Sequence, residues 1–156
     1  MKYLIIFMFL LVHSMLLAQG QIGIKGGTNF TFFNENQEQF GEQVRTEVGY
    51  FAGLFVDVPL GESFHVQPEL LYKGLGEFRF INAPIYVRYD VGANIALLAG
   101  PSLNYFFDFF SNSFKVRADI STLYQITESL DINLKFTLGL EEVSPNVLFL
   151  GLGYRL

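Results

Sequence analysis

The sequence predicts an all-β protein, an eight-stranded antiparallel up-and-down transmembrane β-barrel, and three observations predict it. Segment after segment alternates apolar and polar residues with a period of two, the pattern of a strand with one oily and one wet face. All 14 charged side chains in those segments fall on the wet phase, seven acidic and seven basic. Aromatic residues on the oily phase gather near segment ends, as they do at the two interfaces of a membrane.

Taken in order, Met1 to Gly20 reads as a secretory signal peptide. Lys2 supplies the positive start, Tyr3 to Leu17 the apolar stretch, and Ala18-Gln19-Gly20 the small residues before a cut at Gln21, with a cut after Ala18 as the alternative. The apolar stretch, broken by His13 and Ser14, is shorter than the ~20 residues a spanning helix needs. The barrel domain is then residues 21–156, destined for the cell outer membrane.

Gln21 to Phe32 alternates Ile22, Ile24, Phe30 and Phe32 with Gln21, Lys25, Asn29 and Thr31. A polar run, Phe33 to Arg45, reads as the longest loop. Thr46 to Val58 sets Val48, Tyr50, Leu54, Val56 and Val58 against Glu47, Gly49, Gly53 and Asp57, with Phe51 and Phe55 on the wet phase. After a tight turn at Pro59 to Ser63, Phe64 to Lys73 sets Phe64, Val66, Leu70 and Tyr72 against His65, Gln67, Glu69 and Lys73. Pro68 cannot donate to a ladder and is expected to mark a bulge or kink. Gly74 to Arg79 reads as a short loop, and Ile81 to Val91 as the fourth strand with Asn82, Tyr86, Arg88 and Asp90 inside.

Ile95 to Phe107 follows a turn at Gly92 to Asn94, and Asp108 to Ser113 is a loop. Phe114 to Tyr124 sets Lys115, Arg117, Asp119 and Ser121 opposite its apolar phase. Leu130 to Leu140 alternates without a break, six apolar residues against Asp131, Asn133, Lys135, Thr137 and Gly139; at 3.6 residues per turn the same residues would scatter round a helix. Leu148 to Leu156 closes the series with Arg155 inside. Connections alternate between loops and tight turns, so long outer loops against short periplasmic turns are expected.

The balance of charge decides where the oily face points. A soluble barrel wears its polar face outside, where no balance is needed. A membrane barrel carries it inside, and eight strands leave an interior that side chains fill. An isolated buried ion costs several kcal/mol, so charges there must pair. Lys25, Glu47, Glu69, Lys73, Arg88, Asp90, Lys115, Arg117, Asp119, Asp131, Lys135 and Arg155 are therefore expected to form a structural network in the lumen, joined by Asp57 and, at a strand end, Glu141. The interior should be packed shut and should not conduct.

The segments GIKGGTNF (Gly23 to Phe30), VQPELLYKGLG (Val66 to Gly76), INAPIYVRY (Ile81 to Tyr89), LLAGPSLNYFF (Leu97 to Phe107) and GLGYRL (Gly151 to Leu156) resemble, in this order, the PorT-like outer-membrane β-barrel family, of the OmpA/OmpX type of eight-stranded barrel. The resemblance implies an outer-membrane barrel and, through one member, a role as accessory of a protein secretion system.

Chemistry-bearing constellations are sparse. His65 is the one histidine of the barrel domain, on the inner phase, where it reads as a satisfied interior residue; no nucleophile, base and orienter come together. No metal or phosphate motif appears, so no cofactor and no enzymatic activity are expected. A net charge of −5 with scattered basic residues leaves no footprint for nucleic acid. The absence of Cys excludes disulfides and a thiol-anchored lipid. Candidate partner contacts are Phe78, Arg79 and Phe80 in the second loop and Phe109 with Phe110 in the third, beside the acidic first loop with Glu35, Glu38 and Glu42. The expected partners are outer-membrane lipid and another envelope protein, the expected state a monomer. The alternatives are a secreted or periplasmic lipocalin-like carrier of apolar ligands, and a surface lipid-modifying barrel enzyme.

Overall fold

The computed structural model describes residues 20–37, 41–107, 113–138 and 146–156, and for 33–37 and 41–45 the backbone alone. Residues 1–19 of the expected signal segment, Phe109, Phe110 and Glu141 lie outside these residues. Eight strands form: β1 (Gln21–Gln37), β2 (Gly41–Pro59), β3 (Phe64–Leu75), β4 (Phe78–Asp90), β5 (Ile95–Phe106), β6 (Phe114–Gln125), β7 (Leu130–Leu138) and β8 (Asn146–Arg155). Each pairs antiparallel with the next, and β8 returns to β1, so the sheet closes.

Side-chain facing follows the alternation of the sequence. Along β7 the exposed residues are Ile132, Leu134, Phe136 and Leu138, while Asp131, Asn133, Lys135 and Thr137 are buried. The same inversion runs round the wall: Leu54, Leu70, Ile85 and Leu152 are exposed, whereas Lys73 and Asp119 are each only 1% exposed. A continuous apolar exterior round a charged interior is opposite to a water-soluble protein and suits a barrel in lipid. Tyr50, Tyr72, Tyr105, Phe107 and Phe114 are exposed toward the loop end, and Phe64, Tyr89, Tyr124 and Tyr154 toward the turn end. Val58 departs from the pattern: it sits on the outer phase yet is buried.

The turn end is uniform. Leu60, Val91 and Ile126 each donate their N–H to the carbonyl four residues on, at 2.8, 2.9 and 2.9 Å, closing the three connections alike. The start of β1 and the end of β8 lie here, with Leu156 N–H donating to Ile22 O at 2.9 Å.

The loop end differs from the expectation. Within the run Phe33 to Arg45, residues 33–37 and 41–45 are strand, since β1 and β2 continue to the pair Gln37↔Gly41 in one register, and residues 38–40 lie outside the described residues. Gly74 to Arg79 is likewise mostly strand, since β3 runs to Leu75, β4 begins at Phe78, and the two-residue turn uses Gly76 at φ 55°. Gly supplies that positive φ at no steric cost. The asymmetry between the ends therefore comes from strands of unequal length. Among the described residues, β8 pairs with β1 as far as Phe32↔Asn146 and β3 with β2 as far as Gly49↔Leu75, while the β1–β2 ladder extends beyond both.

Pro68 marks no bulge. Register is unchanged on its two sides, from Phe55↔Glu69 to Val58↔Val66, but the pairs between them lapse. The same happens opposite Pro84 between β3 and β4, and opposite Pro101 between β4 and β5. Proline has no N–H to give, so a ladder bond is lost without an inserted residue.

Candidate functional site

Two features could carry function: the filled lumen and the hairpin above it. From the turn end upward, the lumen first holds a knot of ions. Arg88 bridges Asp57 at 2.6 Å and Asp90 at 2.8 Å. His65 lies between the same two carboxylates, Nδ1 at 3.0 Å from Asp57 and Nε2 at 3.3 Å from Asp90. Arg155 adds contacts to Asp57 at 3.9 Å and Asp131 at 3.7 Å. Residues of β2, β3, β4, β7 and β8 are thereby tied across the bore.

Above this layer Lys25 pairs with Glu69, whose Oε1 also accepts from Gln67 Nε2 at 2.7 Å. Asp119 is the hub of the middle. It accepts from Tyr86 Oη at 2.7 Å, Thr137 Oγ1 at 2.8 Å and Ser102 Oγ at 3.0 Å, with Lys135 Nζ at 3.7 Å. A carboxylate so surrounded keeps its charge compensated although it is almost wholly buried.

Toward the loop end aromatic rings take over. Lys73 and Lys135 both lie over the Phe149 ring, at 4.0 and 4.5 Å from its centroid, and Arg117 lies 5.5 Å from that of Phe106. Desolvated cations over ring faces gain about 2 kcal/mol. Phe80 stacks on Phe106 at 4.8 Å, and Phe51 meets Phe149 edge-on at 5.5 Å. Small residues make this packing possible. A Cβ on Gly151 would lie 2.6 Å from the Phe51 ring, and one on Gly153 would lie 2.6 Å from the Asp131 carboxylate.

The twelve charges expected in the lumen all sit on the inner phase. Lys25, Glu69, Lys73, Arg88, Arg117, Asp119, Asp131, Lys135 and Arg155 are buried, Asp90 is half-buried at the turn end, and Glu47 and Lys115 are half-buried at the loop end, where each has interaction partners. Phe80 requires a correction, because it is buried inside the barrel and offers no exposed contact. Phe78 remains exposed, and Arg79 donates to the carbonyls of Gly76 at 2.7 Å and Phe78 at 2.8 Å while covering Tyr50. Tyr86, Ser102 and Thr137 serve the Asp119 hub, a role the alternation alone does not assign; a hydroxyl on the inner phase is the signal. Among the described residues no cluster of three or more His, Cys, Asp or Glu could hold a metal.

Residues 17–76 match the family model described as outer membrane protein beta-barrel domain. In fold the chain is similar to Ail, the attachment invasion locus protein of Yersinia pestis (TM-score 0.59, 13% identity, 88% of this chain and 99% of that one). It is similar also to the N-terminal barrel domain of Pseudomonas aeruginosa OprF (TM-score 0.54, 16% identity, 88% and 100%). A de novo designed transmembrane β-barrel gives a TM-score of 0.57 at 13% identity, covering 87% of this chain and 95% of the design. At these identities the likeness is one of fold. No curated protein matches the chain significantly in sequence. Lipid-facing band, polar lumen and family match together make this a small outer-membrane β-barrel protein.

Proposed function

We propose that this barrel is a non-enzymatic envelope component that works by contact at its outer end, after export by the signal read at Met1 to Gly20. One observation carries the reading: among the described residues the bore is crowded with buried charged, polar and aromatic side chains, while the β1–β2 ladder extends beyond its neighbouring strands. A bore of that kind has no room for a solute. Since an even number of strands puts both termini at the turn end, an exported chain would have that end in the periplasm and the hairpin outside. The resemblance of five segments to the PorT-like family supports an accessory role in secretion or envelope assembly, with outer-membrane lipid round the barrel and another envelope protein at its rim.

Ail has been crystallised with a heparin analogue, sucrose octasulfate. A polyanion of that kind does not suit the sequence of residues 33–48, which holds four glutamates and a single arginine. The test is twofold. Purified protein in planar bilayers should give no steady conductance steps, and deletion of residues 34–44 should abolish the cellular phenotype of the protein while the barrel still inserts and resists SDS until heated. Stable steps, or a phenotype that survives the deletion, would turn the reading toward a pore.

A further inference from the structure

The turn end of the bore has a mouth. Three connections cross that end side by side, residues 60–63, 91–94 and 126–129. They are tied in a row, since Asp90 N–H donates to Ser63 O at 2.9 Å and Gln125 N–H to Asn94 O at 2.7 Å. The middle connection is the barest: it offers Gly92, Ala93 and Asn94, where its neighbours carry Glu62 and Glu128. A Cβ on Gly92 would meet nothing within 4 Å. Beside it lies a hollow of about 20 Å³, bounded by Arg88, Asp90, Asn94 and Gln125 with Ala96 and Leu123 as its apolar lining. That is room for one water-sized group.

The polar lining is mostly acceptor. Asp90 brings a half-buried carboxylate. Asn94 Nδ2 donates to Gln125 O at 3.0 Å and Gln125 Nε2 to Glu128 O at 3.3 Å, so the unengaged ends of both amides are carbonyl oxygens. The Arg88 guanidinium is already held, through Nε by Asp90 at 2.8 Å and through Nη1 by Asp57 at 2.6 Å, two carboxylates to one cation. His65 lies between the same two carboxylates. Charge at the rim has one sign. Among the described residues of this end Arg88 and Arg155 are buried, whereas the carboxylates of Glu62, Asp90 and Glu128 reach solvent. A lysine ammonium matches such a place: it is compact, positive, and has three donors and no acceptor. A guanidinium is too broad for the hollow, and a free amino acid brings a carboxylate that the acidic rim repels.

We propose that the turn-end mouth is a docking site for a lysine side chain on a basic segment of a partner protein. Its ammonium sits among Asp90, Asn94 and Gln125, and Glu62 and Glu128 draw the basic residues beside it. This goes beyond the outer-end contact above and gives the barrel a second contact at its opposite end.

The experiment uses the full barrel in nanodiscs of uncharged phosphatidylcholine and three probes: an acetylated and amidated Gly-Lys-Gly-Lys-Gly peptide, its arginine counterpart, and free lysine. Binding is followed through the NMR signals of the Asn94 and Gln125 side-chain amides. The lysine peptide is expected to move both signals and to bind about tenfold tighter than either other probe. Gln125→Met, which removes one acceptor, should weaken the lysine peptide about tenfold and leave the arginine peptide unchanged. Glu62→Gln/Glu128→Gln, at exposed positions, should weaken both peptides alike, and each variant is first shown to keep its heat-dependent shift on SDS gels. The proposal is overturned if the lysine peptide moves neither amide, or if Gln125→Met binds it as before. Equal binding of the two peptides would overturn it by reducing the contact to charge alone, and free lysine as tight as the peptide would overturn it by assigning the hollow to free amines. None of these results bears on the packed bore or on the outer-end contact.

Discussion

Asp119→Ala is the sharpest perturbation of the lumen, because one carboxylate serves four strands. The side chain is 1% exposed and accepts from Tyr86, Ser102 and Thr137 with Lys135 beside it. Removing one member of a buried charge constellation costs about 3–5 kcal/mol, since the partners left behind remain desolvated. At an m-value near 2 kcal/mol/M, that moves a urea midpoint down by roughly 2 M. Asp119→Asn retains one acceptor oxygen but no charge, and should lose about half as much. In the double variant Asp119→Ala/Lys135→Met the ammonium no longer lacks its counter-ion, so the loss should fall short of additivity by about 1–3 kcal/mol. Ile120→Leu, one residue on and exposed on the lipid face, should stay within about 0.5 kcal/mol. Unfolding from lipid vesicles can be followed by far-ultraviolet circular dichroism and by the heat-dependent shift on SDS gels, because the chain has no Trp to report. A midpoint for Asp119→Ala within error of the wild type, or additivity with Lys135→Met, would refute the hub.

Three further outcomes are expected. Leu134→Arg places a charge on the exposed apolar face near mid-strand and should cost about 2–4 kcal/mol, read as lost membrane insertion; normal insertion would mean the faces are reversed. Gly151→Leu would drive a side chain against the Phe51 ring and the Asn133 amide, and should destabilise by about 1–3 kcal/mol in the same urea assay, whereas Leu150→Ile beside it should cost far less. Pro84→Ala restores a donor that faces β3, where the ladder lapses, so the amide it introduces should exchange slowly while global stability shifts by less than about 1 kcal/mol. Rapid exchange of that amide would show that the lapse has another cause.

The part of the chain that lies in lipid is legible, and the part above it is not, for one physical reason. Alternation is visible only where one face must be oily, and that holds inside the bilayer. β7 announces itself through five apolar residues in phase, whereas residues 33–37 and 41–45 form strand although their sequence carries no such alternation. Their extension comes from the pairing of β1 with β2, a tertiary fact. Parity also gives the facing of the charges, since Asp131 and Lys135 could only point inward. It cannot give their partners: Asp57 meets Arg88 and Arg155 from strands two places away on either side, and the stagger of the closed barrel sets those distances. Phe80 shares the phase of Asn82, Tyr86 and Arg88, which is the signal for its inward position; the glycines at 74 and 76 beside it imitate a loop.

The prolines and the lumen network belong to one arrangement. Pro68 and Pro101 both oppose Ile85, and Pro84 is its neighbour, so the lapses between β2 and β3, β3 and β4, and β4 and β5 run obliquely across adjacent strands. The described parts of β1, β6, β7 and β8 contain no proline, and their ladders run without a gap. One side of the wall is therefore continuous and the other interrupted at membrane depth, where no solvent replaces a missing bond. The interior contacts fall where the wall is weakest. Lys25 reaches Glu69 across β2, Arg88 reaches Asp57 across β3, and Tyr86 reaches Asp119 across β5. Each is a brace that skips one strand and so carries load past a seam that the backbone leaves unpaired. On this reasoning the charged lumen is what allows three proline-bearing motifs to sit side by side in a closed barrel, and loss of a brace should open the interrupted side before the continuous one.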